Sequence, residues 1–162
     1  MNGQESNEPA QDKLNQLVVF ALDEQRYALH LSVVERIVKV VEVTPLPKAP
    51  EIVLGVVNLQ GRIIPAVNIR KRFGLPGRDV NLSDQLIIAS TSRRTVALVA
   101  DSVSGVVERP ASEVIAGGKI LPGMEYVEGV AKLTDGMVFI HDLDRFLSLE
   151  EESKLDDAVK NT

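Results

Sequence analysis

The amino-acid sequence predicts an all-β fold that ends in a short C-terminal helix. Short apolar runs rich in Val, Ile, Leu and Ala recur along the chain, and turn residues bound each run. Aromatic residues make up only 4% of the chain, so small and β-branched side chains must form the core. Two collinear internal matches indicate a duplicated unit, which predicts two small β-barrels of similar plan packed together.

Composition narrows the class of protein further. The 162 residues suffice for one ordinary domain or two very small ones. A net charge of −5 disfavours binding to nucleic acid or to an anionic membrane, because either surface would repel the chain. The absence of cysteine excludes disulfides and Cys-ligated zinc. Because no leader-like or bilayer-length apolar stretch occurs, we expect a cytoplasmic protein without direct membrane contact.

Three β-hairpins are predicted from turn signals between apolar runs. The first joins residues 17–22 to residues 26–31, and the second crosses the tight turn Gln60-Gly61. The third crosses Asp135-Gly136, a pair that readily takes positive φ. A short basic helix closed by Gly74 follows the second hairpin. Further strands are expected in the apolar runs that begin at Gln85, Thr95 and Ser102.

The two ends of the chain are polar and are predicted to lie outside the folded domain. Residues 1–16 have too few apolar side chains to offset the entropy of ordering, which predicts a disordered N-terminal tail. The domain is expected over residues 17–149. Residues 142–152 indicate a helix, and the acidic tail over residues 150–162 is expected to fray.

The internal duplication appears at an offset of about seventy residues. Either match alone could arise by accident between Val-rich strands, but two matches in the same order favour a real repeat. The repeat predicts barrel subdomains at roughly residues 17–73 and 85–147, with a groove at their junction. The matched segments are residues 27–38 with 96–107 and residues 55–64 with 129–139.

The titratable residues form no recognisable catalytic or metal-binding pattern. His30 and His141 each lie in an apolar strand without an acidic pair at a metal-ligand spacing, which favours structural roles. Strand-end and capping roles account for Asp101, Asp142 and Asp144. No nucleophile elbow, P-loop or dinucleotide motif occurs. We therefore predict no catalysis, cofactor or metal, and a small β-barrel enzyme using Asp101 or His141 is the alternative from another class.

Glu35 is the charge that the predicted strands explain least. It lies between Val34 and Ile37, where a plain apolar strand hardly needs a charge. Either Glu35 occupies an outward-facing position, or it pairs with a basic group at a partner surface. Arg62 is the nearest charged residue in the run from Gly55 to Ile69.

Taken together, these segments resemble the CheW-like chemotaxis coupling proteins from about Leu17 to Leu149. No single segment is specific, but their order and spacing over the whole domain are. The segments that carry the resemblance are LVVFAL with RYAL, VERI around Glu35, TPLPKAP, GVVNLQGRIIPAVNIRKRF, VALVADSVSGVVE and YVEGVAKLTDGMVFIHDLDRFL.

The resemblance implies both a fold and a function. The implied fold is two five-stranded SH3-like β-barrels with a hydrophobic groove between them. The implied function is a non-catalytic adaptor that couples the regulatory domain of a CheA-type histidine kinase to the cytoplasmic hairpin tip of methyl-accepting chemoreceptors. Such an adaptor is cytoplasmic and reaches membrane receptor arrays through its partners. A coupling protein of a non-flagellar chemosensory pathway would have the same fold and is the alternative within this class.

The resemblance also implies which residues bind the partners. Groove or receptor contacts are expected at Val33, Leu86 and Val106, and a polar contact pair is expected at Glu35 and Gln60. The full set of predicted partner-binding residues is Val33, Glu35, Ile37, Asn58, Gln60, Arg62, Leu86 and Val106.

This sequence departs from the family pattern at one position of the polar pair. The family usually reads Asn-Leu-Arg-Gly, whereas here Gln60 stands in the place of the arginine and Arg62 follows after Gly61. Because side chains alternate along a strand, Arg62 need not reach Glu35. The sequence therefore does not predict the family's usual ion pair at this site.

Overall fold

The computed structural model describes residues 13–116 and 126–160, so most of the predicted N-terminal tail lies outside the described residues. Within those ranges the chain forms eleven strands and two α-helices, which confirms the all-β class with a short C-terminal helix. The strands are β1 (Leu14–Leu22), β2 (Gln25–His30), β3 (Val34–Lys39), β4 (Val53–Leu59), β5 (Arg62–Val67), β6 (Gln85–Ser90), β7 (Thr95–Ala100), β8 (Ser102–Pro110), β9 (Val114–Ala116), β10 (Val127–Leu133) and β11 (Gly136–His141). The helices are α1 (Ile69–Arg72) and α2 (Leu149–Lys160).

The strands form two sheets. The terminal sheet has the order β8-β1-β2-β11-β10-β9, and the middle sheet has the order β3-β6-β7-β5-β4. The first two predicted hairpins are present. The second crosses Gln60-Gly61 as predicted, and in the first the turn is residues 23–24 instead of 23–25, because Leu22 pairs with Gln25. In the third hairpin the turn residues are Thr134 and Asp135, one position earlier than predicted, because Leu133 pairs with Gly136. Parallel pairs join β11 to β2 and β5 to β7.

Both sheets repeat one plan of strand pairing. Without β9, the order β8-β1-β2-β11-β10 of the terminal sheet corresponds strand for strand to β3-β6-β7-β5-β4 of the middle sheet. The parallel pairs also keep the same register, since Ala97 faces Ala66 and its sequence counterpart Ala28 faces Ile140. The duplication seen in the sequence is therefore also a repeat of the structure.

The repeat does not divide the chain at the expected boundaries, residues 17–73 and 85–147, because the two halves exchange strands. After β2 the chain leaves the terminal sheet, builds the middle sheet from residues 34–100, and returns at β8. The terminal sheet therefore combines residues 14–30 with residues 102–141. Sequence similarity identifies equivalent strands, but long-range packing decides which strands they pair with.

Apolar side chains on the central strands point alternately into two different cores. On β7, Leu98 lies in the core between the sheets, whereas Ala97 lies in the core inside the middle sheet. Because both faces of these strands are buried, residues 86–89 form a continuous apolar run without polar alternation. The core between the sheets includes Phe20, Leu22, Tyr27, Leu29, Val67, Ile69, Ile87, Val96, Leu98, Phe146 and Leu155.

The middle sheet curls until its two edges approach each other. Beyond β3 the chain continues to Thr44, which exchanges two backbone hydrogen bonds of 2.8 Å with Val56 of β4. This single bridge brings the first and last strands together without a continuous ladder. The crossing is close, because a Cβ added at Gly55 would lie 2.2 Å from the Thr44 carbonyl oxygen.

We expect Gly55→Ala to lower the free energy of unfolding by about 2–4 kcal/mol, because the new methyl group must push the Thr44 backbone away. Urea denaturation of the purified protein measures this change. Gly77→Ala is the control, since an added Cβ there meets no atom within 4 Å, and it should change stability by less than about 0.5 kcal/mol. Equal effects of the two substitutions would contradict the close crossing.

Parts of both segments predicted as tails belong to the fold. Strand β1 begins at Leu14, which pairs with Pro110 of β8, so residues 14–16 belong to the sheet. The acidic segment after residue 149 is not a frayed tail through residue 160 but helix α2, whose Leu155 and Ala158 are buried. Ser148 and Glu151 bond each other's backbone N–H groups, at 3.1 and 2.8 Å, and this capping box explains where the helix starts.

Two arginines of the middle-sheet half hold helix α2 in place. Arg72 donates hydrogen bonds of 2.6 and 2.7 Å to the two carboxylate oxygens of Glu151. Arg94 donates a bond of 2.8 Å to Glu152, which is buried, and another to Asp156. The acidic face of the helix therefore has a structural role. Its carboxylates neutralise Arg72 and Arg94, whose partly buried charges would otherwise be unpaired.

We expect Leu155→Ala to destabilise the protein by about 2–5 kcal/mol, because the substitution leaves a cavity in the core between the sheets. Thermal and urea unfolding measure the loss. Leu149→Ala in the same helix is the matched control, since Leu149 is 72% exposed and its truncation should have little effect. A small effect of Leu155→Ala would mean that α2 does not dock.

A buried charge network ties the sheets together where the chain crosses between them. The Arg70 guanidinium is almost fully buried and donates bonds of 2.8 Å to Asp23 in the β1–β2 turn and 2.9 Å to Asp101 between β7 and β8. Arg78 binds Asp101 at 2.5 Å and buried Asp84 at 2.7 Å. Burial opposes ionisation of Asp101, but the hydrogen bonds from Arg70, the Asp23 N–H and Arg78 outweigh it and hold the pKa below its usual range.

The lowered pKa of Asp101 predicts a loss of stability in acid. Its contribution is present above the unfolded-state pKa of about 3.9 and is lost as the pH falls through the lower folded-state pKa. Asp101→Asn should cost about 3 kcal/mol at pH 7, because Arg70 stays buried, and should flatten the decline of stability below about pH 4. Urea unfolding at several pH values tests this, with Asp79→Asn as an exposed control. If the stability of Asp101→Asn declined below about pH 4 as steeply as that of the unmodified protein, Asp101 would not be the cause of the decline.

Candidate partner-binding surface

Glu35 projects from a β-bulge at the edge of the middle sheet. Val34 pairs with Ala89 and Arg36 pairs with Ile88, so Glu35 is the extra residue of β3 that has no partner in β6. A bulge bends its strand and re-aims the side chain of the extra residue. The carboxylate is exposed as a result, which explains a charge in an otherwise apolar run.

Arg62, the first residue of β5, reaches Glu35 across the end of the curled sheet. Its Nη1 lies 2.5 Å from Glu35 Oε2, and its Nη2 lies 3.3 Å from the Thr95 hydroxyl oxygen on β7. The hydrogen bond from Arg62 lowers the pKa of the Glu35 carboxyl below its usual range. The sequence did not predict this pair, because the contact depends on sheet curvature and not on strand alternation.

Within the chain, Glu35 pairs with Arg62, and the partner contact expected at Glu35 and Gln60 stays a prediction. Gln60 is exposed in the β4–β5 turn, where its φ is 53°. Asn58, another predicted contact residue, is exposed, and its side-chain oxygen accepts a bond of 2.9 Å from the Gly61 N–H. Asn58 thus shapes the turn that precedes Arg62.

Ile63 is an exposed apolar residue that sequence reasoning missed. It is 61% exposed on β5 and pairs across the hairpin with Asn58. The neighbouring Ile64 is buried in the core of the middle sheet, so the period of two along β5 was the available signal. We call Glu35, Arg62, Thr95, Asn58 and Ile63 the β3–β5 rim.

The apolar contact residues predicted on β3 and β8 occupy equivalent positions in the repeat. Ile37 is 36% exposed on β3, and its counterpart Val106 is 52% exposed on β8. Val33 is half-buried and packs against the core between the sheets. We call β3 and β8 the crossing strands, because each is the first strand that the chain forms after it changes sheet. Both crossing strands thus present an exposed aliphatic side chain.

Leu86 is wrongly predicted as a contact residue. It is fully buried, and its side chain lies in the core inside the middle sheet. Strand β6 also runs between β3 and β7, so it is not an edge strand of the sheet. Its apolar character reflects packing.

Of the residues considered for catalysis, the aspartates and His30 have structural partners. Asp142 accepts a bond of 3.1 Å from the Asp144 N–H, and Asp144 accepts one of 2.7 Å from the Ser92 N–H. His30 lies 2.7 Å from Glu128, and His141 is buried. Within residues 13–116 and 126–160, no three His, Asp or Glu side chains gather as a metal site requires. The helices in these ranges are also too short or too polar to cross a bilayer.

Comparison with known proteins agrees with this architecture. The model of the CheW-like domain family matches residues 16–151. The chain is 30% identical over 150 residues to the chemotaxis protein CheW of Treponema pallidum (strain Nichols), covering 89% of this chain and 88% of the relative. It is 31% identical over 133 residues to the chemotaxis protein CheW of Thermotoga maritima, covering 82% of this chain and 87% of the relative.

A solved structure gives the same result. The crystal structure of the scaffolding protein TtCheW from Thermoanaerobacter tengcongensis superposes with a TM-score of 0.78 at 30% identity, covering 86% of this chain and 96% of that chain. Sequence, fold and family match therefore coincide over nearly the whole described chain. The resemblance seen in the sequence is confirmed, and the chain belongs to the CheW-like family of non-catalytic chemotaxis scaffold proteins.

Proposed function

We propose that this protein couples a CheA-type histidine kinase to the cytoplasmic hairpin tips of chemoreceptors through two separate surfaces, and that it does so in the cytoplasm. The regulatory domain of the kinase would dock on the β3–β5 rim. The receptor helices would lie against the apolar side chains of the crossing strands, among them Val106. Signal then passes through contacts between folded proteins, without a chemical step.

The ion pair between Glu35 and Arg62 is the observation that carries the kinase surface. Both side chains are exposed, yet the bulge fixes Glu35 and Thr95 holds the second nitrogen of Arg62. A pair that is ordered before docking loses little entropy on docking. Its attraction also strengthens when a partner excludes water. Ile63, exposed beside Arg62, supplies apolar area of the kind found at the centre of interfaces.

The repeat supports an assignment of different partners to the two halves. Residue Ser104 of β8 is the bulge counterpart of Glu35, since Val19 and Phe20 pair with Gly105 and Val103 around it. The bulge of β3 therefore carries a charged residue, and the equivalent bulge of β8 carries an uncharged one. The exposed aliphatic positions, by contrast, occur in both halves, as expected for the wall of a groove that takes an amphipathic helix.

We expect Glu35→Gln to weaken binding of the kinase regulatory domain about tenfold, because the substitution leaves Arg62 unpaired under the partner. Binding of a receptor hairpin-tip fragment should change less than twofold. Val106→Glu should show the reverse selectivity, because a carboxylate would be buried in the apolar contact. Calorimetric titration of the full-length protein with each partner measures both effects.

Glu24→Gln is the matched control, since Glu24 is an exposed glutamate in the β1–β2 turn, away from the rim. Equal losses in Glu24→Gln and Glu35→Gln would indicate a general charge effect and would refute the rim. Folded protein that binds neither partner would refute the coupling function itself. Glu35→Gln/Arg62→Gln should lose less affinity than the sum of the single substitutions if the two residues act as one unit.

A further inference from the structure

The segment between β3 and the bridge at Thr44 has backbone groups that the fold leaves unpaired. Val40 donates a hydrogen bond of 3.2 Å to the Asp84 carbonyl oxygen, and Thr44 exchanges its two bonds with Val56. Between these points the chain runs without a turn or bend, and the N–H and C=O groups of residues 41–43 make no hydrogen bond to the described part of the chain. Such a segment can pair with a further strand, because its donors and acceptors are available.

A cavity of about 520 Å³ lies beside this segment. Its wall combines residues 40–43 with Leu54, the extra residue of the β4 bulge, and with the loop of residues 78–82. Leu82 in that loop is 94% exposed, so part of the apolar wall faces solvent. The aliphatic side chains that line the cavity are Val40, Val41, Val43, Leu54, Val80 and Leu82.

Hydrogen bonds hold the loop that forms the far wall of the cavity. The Asn81 N–H donates a bond of 2.9 Å to the Asp84 carboxylate, and the Asn81 side-chain oxygen accepts one of 3.1 Å from the Ser83 N–H. Arg78 donates a bond of 2.7 Å to Asp84, which is buried. The wall is therefore ordered before a partner arrives, so docking there loses little conformational entropy.

The charges around the cavity define the chemistry of a partner. Glu42 and Asp79 line the cavity and are exposed, and neither carboxylate has an ion-pair or hydrogen-bond partner among the residues that the structure describes. Arg78, the cation among the lining residues, is already neutralised by Asp84 and Asp101. The surface is therefore negative, which favours a basic partner and disfavours a second copy of this chain, because like charges would then meet.

We propose that this surface binds an extended segment of a partner protein in which aliphatic and basic residues alternate. The segment would pair with residues 41–43 as an added β-strand. Side chains alternate along a strand, so Val41 and Val43 share one face and Glu42 lies on the other. Aliphatic residues of the segment would enter the cavity beside the two valines, and a basic residue would lie opposite Glu42 as a cross-strand pair. No residue of the β3–β5 rim lines the cavity, so this proposal is independent of the coupling function.

Titration of the ¹⁵N-labelled full-length protein with the synthetic peptide acetyl-KVKVKVK-amide tests this surface. We expect saturable shifts of the amide signals of residues 41–43 and none at the β3–β5 rim. The peptide with glutamate in place of lysine should bind at least about tenfold more weakly, because its carboxylates would meet Glu42 and Asp79. Shifts that do not saturate, that appear equally at the rim, or that both peptides cause with equal affinity would overturn the proposal. Shifts of the same signals with protein concentration alone would assign the surface to a second copy and overturn it too.

Methylated peptides test whether the contact is an added strand. Only alternate N–H groups of a strand face a given neighbour. Methylation of the valine nitrogens in one peptide and of the lysine nitrogens in another should therefore weaken binding in only one of the two, by about fivefold or more, the size of one hydrogen bond. Equal affinities of the two methylated peptides would rule out strand addition.

A charge reversal at Glu42 tests the role of its carboxylate. Because Glu42 is exposed, Glu42→Lys should leave the fold and the binding of the kinase regulatory domain unchanged. We expect its affinity for the lysine peptide to fall about tenfold and its affinity for the glutamate peptide to rise. Glu24→Lys is the matched control, since it makes the same change in charge at an exposed glutamate in the β1–β2 turn. Equal effects of the two substitutions would mean that the peptide responds only to the net charge of the protein, which would overturn the proposal.

Discussion

The exchange of strands between the two halves of the chain is the constraint on which the rest of this structure depends. The chain leaves the terminal sheet after β2 and returns at β8, so neither sheet is complete without residues from both halves. Packing the sheets together buries both faces of their central strands and creates the core that contains Phe20, Ile87 and Leu98. Since each small sheet alone would bury little apolar area, the exchange makes one cooperative unit from two marginal ones.

The repeat supplies a symmetric scaffold, and individual side chains make it asymmetric. Each sheet carries bulges at corresponding points, with Glu35 and Ser104 as the extra residues on the crossing strands and Leu54 and Glu128 on the hairpin strands. The backbone bulge is the same on β3 and β8, but the extra residue is charged on β3 and uncharged on β8. An adaptor that must hold two different partners benefits from this arrangement, because equivalent backbone positions can carry different chemistry.

Charged residues serve two distinct purposes in this acidic protein. Arg70, Arg78 and Arg94 are drawn into networks that hold the crossing and helix α2, whereas the pair of Glu35 and Arg62 remains at the surface. The three arginines stabilise the fold because they are partly buried, and removing one of their partners would leave an unpaired charge with little access to water. Exposure makes the second pair available to a partner.

The sequence by itself determined the all-β class, the hairpins, the short helix from Ile69, the duplication and the family, because turn chemistry, periodicity and segment order are local or collinear properties. It located Glu35 as an unusual charge and suggested Asn58, Ile37 and Val106, which are exposed. Only the tertiary structure decided that the halves exchange strands, that Leu86 is buried, that Arg62 pairs with Glu35, and that the acidic end docks as a helix. Each of these depends on contacts between residues distant in the chain, and such contacts are set by sheet curvature and packing, which no local pattern encodes.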